Sequence, residues 1–175
     1  MTILVTESSE LTTMSARLPI KVLFVCMGNI CRSPTAHGIF QQLVDEQGLG
    51  DSILVDSAGT HSYHVGNPPD ARSRATAEKR GVDLSGLRAR RFVSEDFHEF
   101  DYLLGMDEDN VRHMRSIRPE DASTDAHLML KYSNQYTRPD VPDPYFGNDG
   151  FDLVFDMIDD ASRGLLRHIR NQHKL

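Results

Sequence analysis

Short runs of consecutive apolar residues alternate along the chain with longer stretches in which apolar residues recur every three or four positions. The runs predict four strands, at residues 20–25, 52–59, 101–106 and 126–133. The first of them, IKVLFV, is almost entirely apolar, which is typical of a strand buried on both faces of a parallel sheet. Because helical stretches separate the strands, the pattern predicts an α/β fold: a single doubly wound domain with a four-stranded parallel sheet flanked by helices.

The stretches with helical spacing predict most of the flanking helices. Three helices are expected near residues 70–80, over 107–117 and from 151 to 169, with a short helical turn inside 92–100. Gly81 follows the first of these three, as a residue that ends a helix commonly does. The last stretch is the longest, and its apolar residues fall on one face, so it should pack along the sheet.

A further helix should follow the first strand after a tight loop. Ser33 is the expected N-cap, Pro34 occupies the first helical position, and Gly48 follows the last turn. Parallel α/β sheets bind ligands beyond the carboxyl ends of their strands. The segment from Cys26 to Arg32 lies at such an end, so it is the leading candidate for a ligand-binding loop.

Composition limits the chain to one domain and a narrow set of partners. Its 175 residues, of which 39% are hydrophobic, suit one globular core. Residues 1–18 are rich in Ser, Thr and Glu and are predicted to form a flexible N-terminal extension, which leaves 19–175 as the folded domain. A formal net charge of -7 argues against nucleic acid as a partner, because phosphate backbones reward clustered Lys and Arg.

Location follows from what the sequence lacks. No apolar run approaches the length needed to span a membrane, so no membrane insertion is expected. The N-terminal residues do not resemble a secretory signal, and the chain has two cysteines, Cys26 and Cys31. Both observations favour a reducing, cytoplasmic compartment.

The loop after the first strand combines three features that bind anions. Its successive backbone N–H groups can point inward, the following helix adds unpaired N–H donors, and Arg32 provides a planar fork for phosphate. Gly28 allows the chain to turn without a Cβ clash. The same positive field favours the thiolate of Cys26 over its thiol. A thiolate below a bound phosphate can attack phosphorus in line and form a thiophosphate intermediate.

Other interpretations of the cysteines are weaker. A single Cys at a strand end is often a small buried apolar residue, and Cys26 with Cys31 could form a redox pair, although their spacing is not the Cys-x-x-Cys of such motifs. A zinc site would need ligand spacings that the chain does not offer, so neither a metal nor a cofactor is expected. His61 and His64 are interpreted as surface histidines of a loop.

Four segments resemble the low-molecular-weight protein tyrosine phosphatase family. They are VCMGNICRSPTA (25–36), VDSAGT (55–60), DYLLGMDEDN (101–110) and VPDPYFG (141–147), and they occur in the family's order. The resemblance extends from about residue 20 to the end of the chain. It implies a protein tyrosine phosphatase that hydrolyses phosphotyrosine monoesters through a cysteinyl-phosphate intermediate.

The resemblance also implies roles for the loop residues. Cys26 would be the nucleophile and Arg32 the phosphate clamp. Ser33 would hydrogen-bond the thiolate, and Asn29 with Ser57 would hold the loop in its strained shape. The phosphate-binding set would comprise Met27, Gly28, Asn29, Ile30, Cys31, Arg32 and Ser33.

A downstream carboxylate supplies what the loop lacks. The phenolate that leaves phosphotyrosine needs a proton, and by resemblance Asp143 is the general acid that donates it and the base that then activates water. Pro142 and Pro144 restrict the backbone on both sides of Asp143.

Three aromatic residues complete the implied site. Tyr63, Tyr145 and Phe146 would contact the phenyl ring of the substrate. Many relatives carry Tyr where this chain has Phe146, which keeps the aromatic wall and removes a hydroxyl.

Two other functions remain open on the sequence. In the phosphoarginine phosphatase branch of the family a Thr stands at the position of Ile30, and the apolar Ile favours a phenyl ring instead. A non-catalytic phosphotyrosine-binding module would use the same loop without turnover, although Cys26, Arg32 and Asp143 are all present. An arsenate reductase relay is excluded, because no cysteine follows Cys31.

The sequence also suggests a redox role and a partner. Cys31 is the expected redox partner of Cys26, since a disulfide between them would shield an oxidised nucleophile from further oxidation. The expected partner is a phosphotyrosine-containing protein, and by resemblance to bacterial relatives a bacterial tyrosine kinase is a candidate.

Overall fold

The computed structural model describes residues 17–146 and 150–175, so most of the predicted extension, residues 1–16, lies outside the described residues. Four parallel strands form one sheet in the order β2-β1-β3-β4. Their bounds are β1 Ile20–Cys26, β2 Ile53–Gly59, β3 Tyr102–Gly105 and β4 Ala126–Leu128. The predicted fold class is confirmed.

Helices cover both faces of the sheet. They are α1 Arg32–Glu46, α2 Ala71–Lys79, α3 Asp96–Glu99, α4 Glu108–Ser116 and α5 Phe151–His173, with a 3-10 helix at Met129–Tyr132. In the described part of the chain, no helix is both long and apolar enough to cross a membrane.

The side chains of β1 alternate between two cores, as the pleat of a strand requires. Phe24 packs with Phe40 in the core beneath α1 and α5, while Leu23 and Val25 face the core that includes Met114 of α4. All of these side chains are buried. Because β1 is enclosed on both faces, its carboxyl end, and with it Cys26, is held in a fixed position.

Two local predictions were wrong. The fourth strand does not continue to residue 133: it ends at Leu128, beside the last residue of β3, and the chain then turns into the 3-10 helix. Met129 and Leu130 are buried in the core with α5, so their apolar character reflects packing rather than sheet pairing. Ser33 is not the N-cap of α1, which starts at Arg32.

Candidate active site

The segment between β1 and α1 forms a tight loop at the carboxyl end of β1. Among residues 17–146 and 150–175, no protein oxygen accepts a hydrogen bond from the backbone N–H groups of Met27 to Ser33. Buried N–H groups are nearly always paired, so such a series of unpaired donors at a loop and helix N-terminus marks an anion-binding site. Cys26 lies at the base of this loop, with 2% of its surface exposed.

Asn29 holds the loop in its unusual shape. Its backbone lies in the left-handed region, with φ 55°, which Asn tolerates better than most residues. The side-chain amide donates to Oγ of Ser33 at 2.7 Å and accepts from the backbone N–H of Arg90 at 3.0 Å. One buried side chain therefore links the loop both to α1 and to the segment that follows α2.

The hydroxyl of Ser33 is shared between the loop and the nucleophile. Its Oγ lies 3.1 Å from Sγ of Cys26 and 3.3 Å from the carbonyl oxygen of Ala58. Because Asn29 already donates to this oxygen, the single hydroxyl proton can be given either to Ala58 or to the sulfur. When Cys26 is a thiolate, donation to the sulfur stabilises the negative charge.

Ser57 and Asn29, to which the resemblance gives a shared role in holding the loop, have different hydrogen-bond partners. The Ser57 hydroxyl lies 3.0 Å from Nδ1 of His37 on α1, and Asn29 bonds Ser33. Burial lowers the pKa of His37, although the nearby carboxylate of Asp56 partly opposes this shift. Ser57 therefore ties β2 to α1 behind the loop.

Arg32 points into the site from the first turn of α1 and is 2% exposed. Its Nη1 donates to Oδ2 of Asp107 at 2.6 Å and to the carbonyl of Val141 at 3.0 Å, and its Nη2 lies 3.5 Å from Oδ2 of Asp143. Burial works against the charge, but Cys26, Asp107 and Asp143 more than compensate and raise the pKa of Arg32. The guanidinium is therefore charged and oriented.

Asp143 lies in a segment without regular secondary structure, and a backbone hydrogen bond holds this segment beside the loop. The N–H of Val141 donates to the carbonyl of Met106 at the end of β3, at 2.9 Å. Oδ1 of Asp143 accepts from the N–H of Tyr145 at 3.0 Å, which leaves Oδ2 facing Arg32. A carboxyl group thus lies beside the anion site, where it can exchange a proton with a bound ligand.

A single cavity unites most of the predicted residues. It is lined by Cys26, Met27, Gly28, Ile30, Cys31, Arg32, Tyr63, His64, Asp143 and Tyr145. His64, which the sequence assigned to the surface, belongs to this wall, and its ring lies 6.1 Å from that of Tyr145. Phe146 is 78% exposed, does not line the cavity, and forms a T-shaped pair with the ring of Tyr145.

Cys31 lies in the same cavity wall, and neither Cys31 nor Cys26 forms a disulfide. Burial, followed by the charges of Asp70 and Cys26, raises the pKa of Cys31 to about 12. The thiol of Cys31 is therefore protonated at neutral pH.

Sequence reasoning missed three features that hold the site together. Asp107 orients Arg32, but in the sequence it is an acidic residue before a helix. Gly59 lies so close to the loop that an added Cβ would be 2.8 Å from the carbonyl of Met27. Arg72 forms a fork with Asp70 and donates to the carbonyl of Tyr145 at 3.1 Å. Gly59 and Asp107 each carried a signal, since they belong to the VDSAGT and DYLLGMDEDN segments, whereas Arg72 did not.

A buried cysteine at the base of an anion-binding loop, with an arginine and a carboxyl group beside it, defines a cysteine-dependent phosphatase on a parallel α/β sheet. The model of the low molecular weight phosphotyrosine protein phosphatases matches residues 21–175, and the chain belongs to this family. It is accordingly a protein tyrosine phosphatase, a hydrolase of phosphoric monoesters.

Individual relatives agree with this assignment. The low molecular weight phosphotyrosine protein phosphatase of Homo sapiens is 40% identical over 148 residues, which cover 83% of this chain and 92% of that protein. The crystal structure of a protein tyrosine phosphatase from Entamoeba histolytica has a TM-score of 0.82 and 37% identity, covering 89% of this chain and 99% of that one. The arginine phosphatase of Drosophila has a TM-score of 0.78 and 33% identity, covering 86% and 98%.

Proposed function

We propose that Cys26, Arg32 and Asp143 carry out the hydrolysis of phosphotyrosine in this chain, on the loop formed by Met27 to Ser33. The observation that carries the proposal is the convergence of these three side chains on one cavity whose backbone N–H groups have no acceptor among the described residues. A phosphate dianion would supply the missing acceptors, and Arg32 would bind two of its oxygens.

The first step transfers the phosphoryl group to sulfur. The thiolate of Cys26 attacks phosphorus, an S–P bond forms, and the bond to the tyrosyl oxygen breaks. Asp143, in its protonated form, gives its proton to the leaving phenolate. The electron pair of the broken bond thereby becomes the O–H bond of tyrosine.

The second step regenerates the enzyme. A water molecule loses a proton to the carboxylate of Asp143 and attacks phosphorus, so that the S–P bond breaks and inorganic phosphate leaves. The sulfur recovers its electron pair as a thiolate. Ser33, whose hydroxyl is 3.1 Å away, can donate to this sulfur and make it a better leaving group.

A phenyl ring suits the part of the cavity that Tyr63, Tyr145 and Ile30 line. Tyr63 and Tyr145 add aromatic surface to the cavity wall, and Ile30 adds an apolar side chain. Phe146 would extend the same wall by its edge contact with Tyr145. Asn29 and Ser57 would support the loop, Asn29 through Ser33 and Ser57 through His37.

Phosphoarginine is a second candidate substrate, since the Drosophila arginine phosphatase shares the fold at 33% identity. Ile30 argues against it, because a Thr stands at this position in that branch and its hydroxyl could bond a guanidinium. The comparison to make is wild type against Ile30→Thr, on phosphotyrosine and phosphoarginine. Phosphotyrosine preference in the wild type, weakened by the substitution, would support the proposal, and wild-type preference for phosphoarginine would contradict it.

The proposal includes a redox role, a partner and a location. Cys31 would trap oxidised Cys26 as a disulfide. Two observations support this: both residues line the same cavity, and the charge of Cys26 contributes to the raised pKa of Cys31. The substrate would be a tyrosine-phosphorylated protein, a bacterial tyrosine kinase being one candidate. Two free cysteines suit a cytoplasmic enzyme. Residues 1–18 would form an extension to the phosphatase domain of 19–175.

Two substitutions test the catalytic roles. Cys26→Ser should abolish turnover of a phosphotyrosine peptide while calorimetry still detects phosphate binding, and substantial remaining turnover would exclude Cys26 as nucleophile. Asp143→Ala should lower kcat about 10²- to 10⁴-fold on phosphotyrosine and much less on p-nitrophenyl phosphate, whose leaving group needs no proton. Equal losses on both substrates would contradict the general-acid role.

A further inference from the structure

Three aromatic rings form a row that leads from helix α4 to the cavity. The ring of His113 on α4 lies 5.3 Å from that of His61, centroid to centroid. His61 in turn stacks on Tyr63 at 5.5 Å, with an angle of 11° between the ring planes. The planes of His113 and His61 are tilted by 50°, so the row contains one stacked pair, His61 with Tyr63. The last member of the row, Tyr63, is part of the cavity wall.

Tyr63 needs support to act as a wall. Its residue surface is 79% exposed, so the core does not fix its side chain. An exposed tyrosine that must be ordered when substrate binds reduces the affinity by the cost of that ordering. A parallel contact with a neighbouring ring reduces this cost, because stacking selects one orientation before the substrate arrives.

His61 is itself well anchored. Its backbone N–H donates to the carbonyl of Met27 at 3.0 Å, and its Nδ1 lies 2.9 Å from the hydroxyl of Thr60. The ring of His61 also meets His113 of α4, the helix whose N-cap Asp107 bonds Arg32. The ring of His61 is thus fixed relative to both the phosphate loop and the clamp.

We propose that His61 is a positioning residue that holds Tyr63 in place against the aromatic ring of the substrate, with His113 supporting it from α4. Through this contact His61 sets the affinity for aryl phosphates without changing the affinity for phosphate itself. The inference rests on the proposed role of Tyr63 as a substrate contact.

The test separates ring binding from phosphate binding. His61→Ala should raise KM for a phosphotyrosine peptide about two- to tenfold, the range expected for one aromatic pair. The inhibition constant of inorganic phosphate and kcat should stay unchanged, and His61→Phe, which keeps a ring, should restore KM. His98→Ala, on the exposed surface of α3, is the matched control and should behave as wild type.

Several results would overturn the proposal. A parallel rise in the inhibition constant of phosphate would mean that His61 merely supports the loop, and failure of His61→Phe to restore KM would exclude stacking. His113→Ala with an unchanged KM would remove the part assigned to α4.

Tyr63→Ala distinguishes failure of this inference from failure of the proposed function. If Tyr63→Ala raises KM and His61→Ala adds nothing in the double variant, the two residues act as one unit, as proposed. If Tyr63→Ala raises KM but His61→Ala alone does not, the inference is wrong and the substrate wall stands. If Tyr63→Ala leaves KM unchanged, the positioning role of His61 and the proposed substrate contact of Tyr63 are both wrong.

Discussion

Asp107 uses its two carboxylate oxygens for two different purposes. Oδ2 accepts from Nη1 of Arg32 at 2.6 Å, whereas Oδ1 accepts from the backbone N–H of Asn110 at 2.7 Å and caps α4. The arginine that is to clamp phosphate is therefore oriented by a residue 75 positions along the chain. The contact forms because β1 and β3 are neighbours in the sheet, so their carboxyl ends meet.

Substitution of Asp107 should impair the clamp more than the fold. Asp107→Ser keeps an N-cap but does not reach Arg32, and we expect kcat/KM to fall about ten- to hundredfold, the equivalent of one charge-assisted hydrogen bond. Asp107→Asn keeps both acceptors without the charge and should lose less. Steady-state kinetics and phosphate inhibition measure the effect. Tighter phosphate binding with unchanged kcat in both variants would mean that Asp107 only competes with phosphate for Arg32.

His37 should make the stability depend on pH. Burial lowers the pKa of His37 in the folded state, so between its ordinary value and the lowered one the unfolded chain binds the extra proton. The free energy of unfolding should therefore fall as the pH drops below about 6.5. His37→Gln should reduce this loss.

Urea unfolding at about pH 7.5 and about pH 5 measures the difference. His98→Gln, on the surface of α3, is the control for removal of a histidine. An identical pH dependence for wild type and His37→Gln would contradict the assignment.

The oxidation chemistry of Cys31 should be strongly pH-dependent. Burial and the charge of Asp70 raise its pKa to about 12, and only a thiolate attacks the sulfenic acid that peroxide forms on Cys26. Below that pKa, the rate of disulfide formation should rise about tenfold for each pH unit. Asp70→Asn, which keeps the N-cap of α2, should accelerate the reaction at a given pH.

Mass spectrometry after a brief peroxide pulse follows the disulfide directly. Cys31→Ser is the control, and it should lose activity irreversibly, as the sulfinic acid accumulates on Cys26. A rate that does not change between about pH 6 and about pH 9 would exclude Cys31 as the attacking thiol.

The strands, the helices and the anion loop could be predicted because they depend on local patterns. The apolar run of β1 and the glycine and polar residues after Cys26 are visible in the sequence itself. Contacts that join distant segments could not be predicted in the same way. Asp107 and Arg32 meet only through the sheet order, and His64 joins the cavity wall because its loop folds back over Gly28.

The same limit explains one missed contact and one wrong strand end. The resemblance gave Asn29 and Ser57 a common role at the loop, but the contact of the Ser57 hydroxyl with His37 of α1 depends on how β2 and α1 pack. The apolar segment after Leu128 satisfies a strand pattern as well as a 3-10 helix that packs under α5. Whether such a segment forms a strand or a 3-10 helix depends on how closely the neighbouring elements pack.

The close packing of Gly164 in α5 against the 3-10 helix should affect stability in a measurable way. A Cβ on Gly164 would lie 1.9 Å from the carbonyl oxygen of Tyr132 in the 3-10 helix, which is an overlap with backbone. In an open helix Gly→Ala would stabilise by about 1 kcal/mol through helix propensity. Here the overlap should reverse the sign, since overpacking costs about 1–3 kcal/mol and more when backbone must move.

We therefore expect Gly164→Ala to lower the free energy of unfolding, measured by urea denaturation. Gly38→Ala in α1 is the matched comparison, because its Cβ would meet only side-chain atoms, Leu84 at 2.2 Å and Val82 at 3.1 Å, and no backbone. Gly38→Ala should therefore lose less stability than Gly164→Ala. Gly86→Ala, which has open space around it, should be close to neutral. A stabilised Gly164→Ala variant would mean that α5 and the 3-10 helix are farther apart in solution than in this structure.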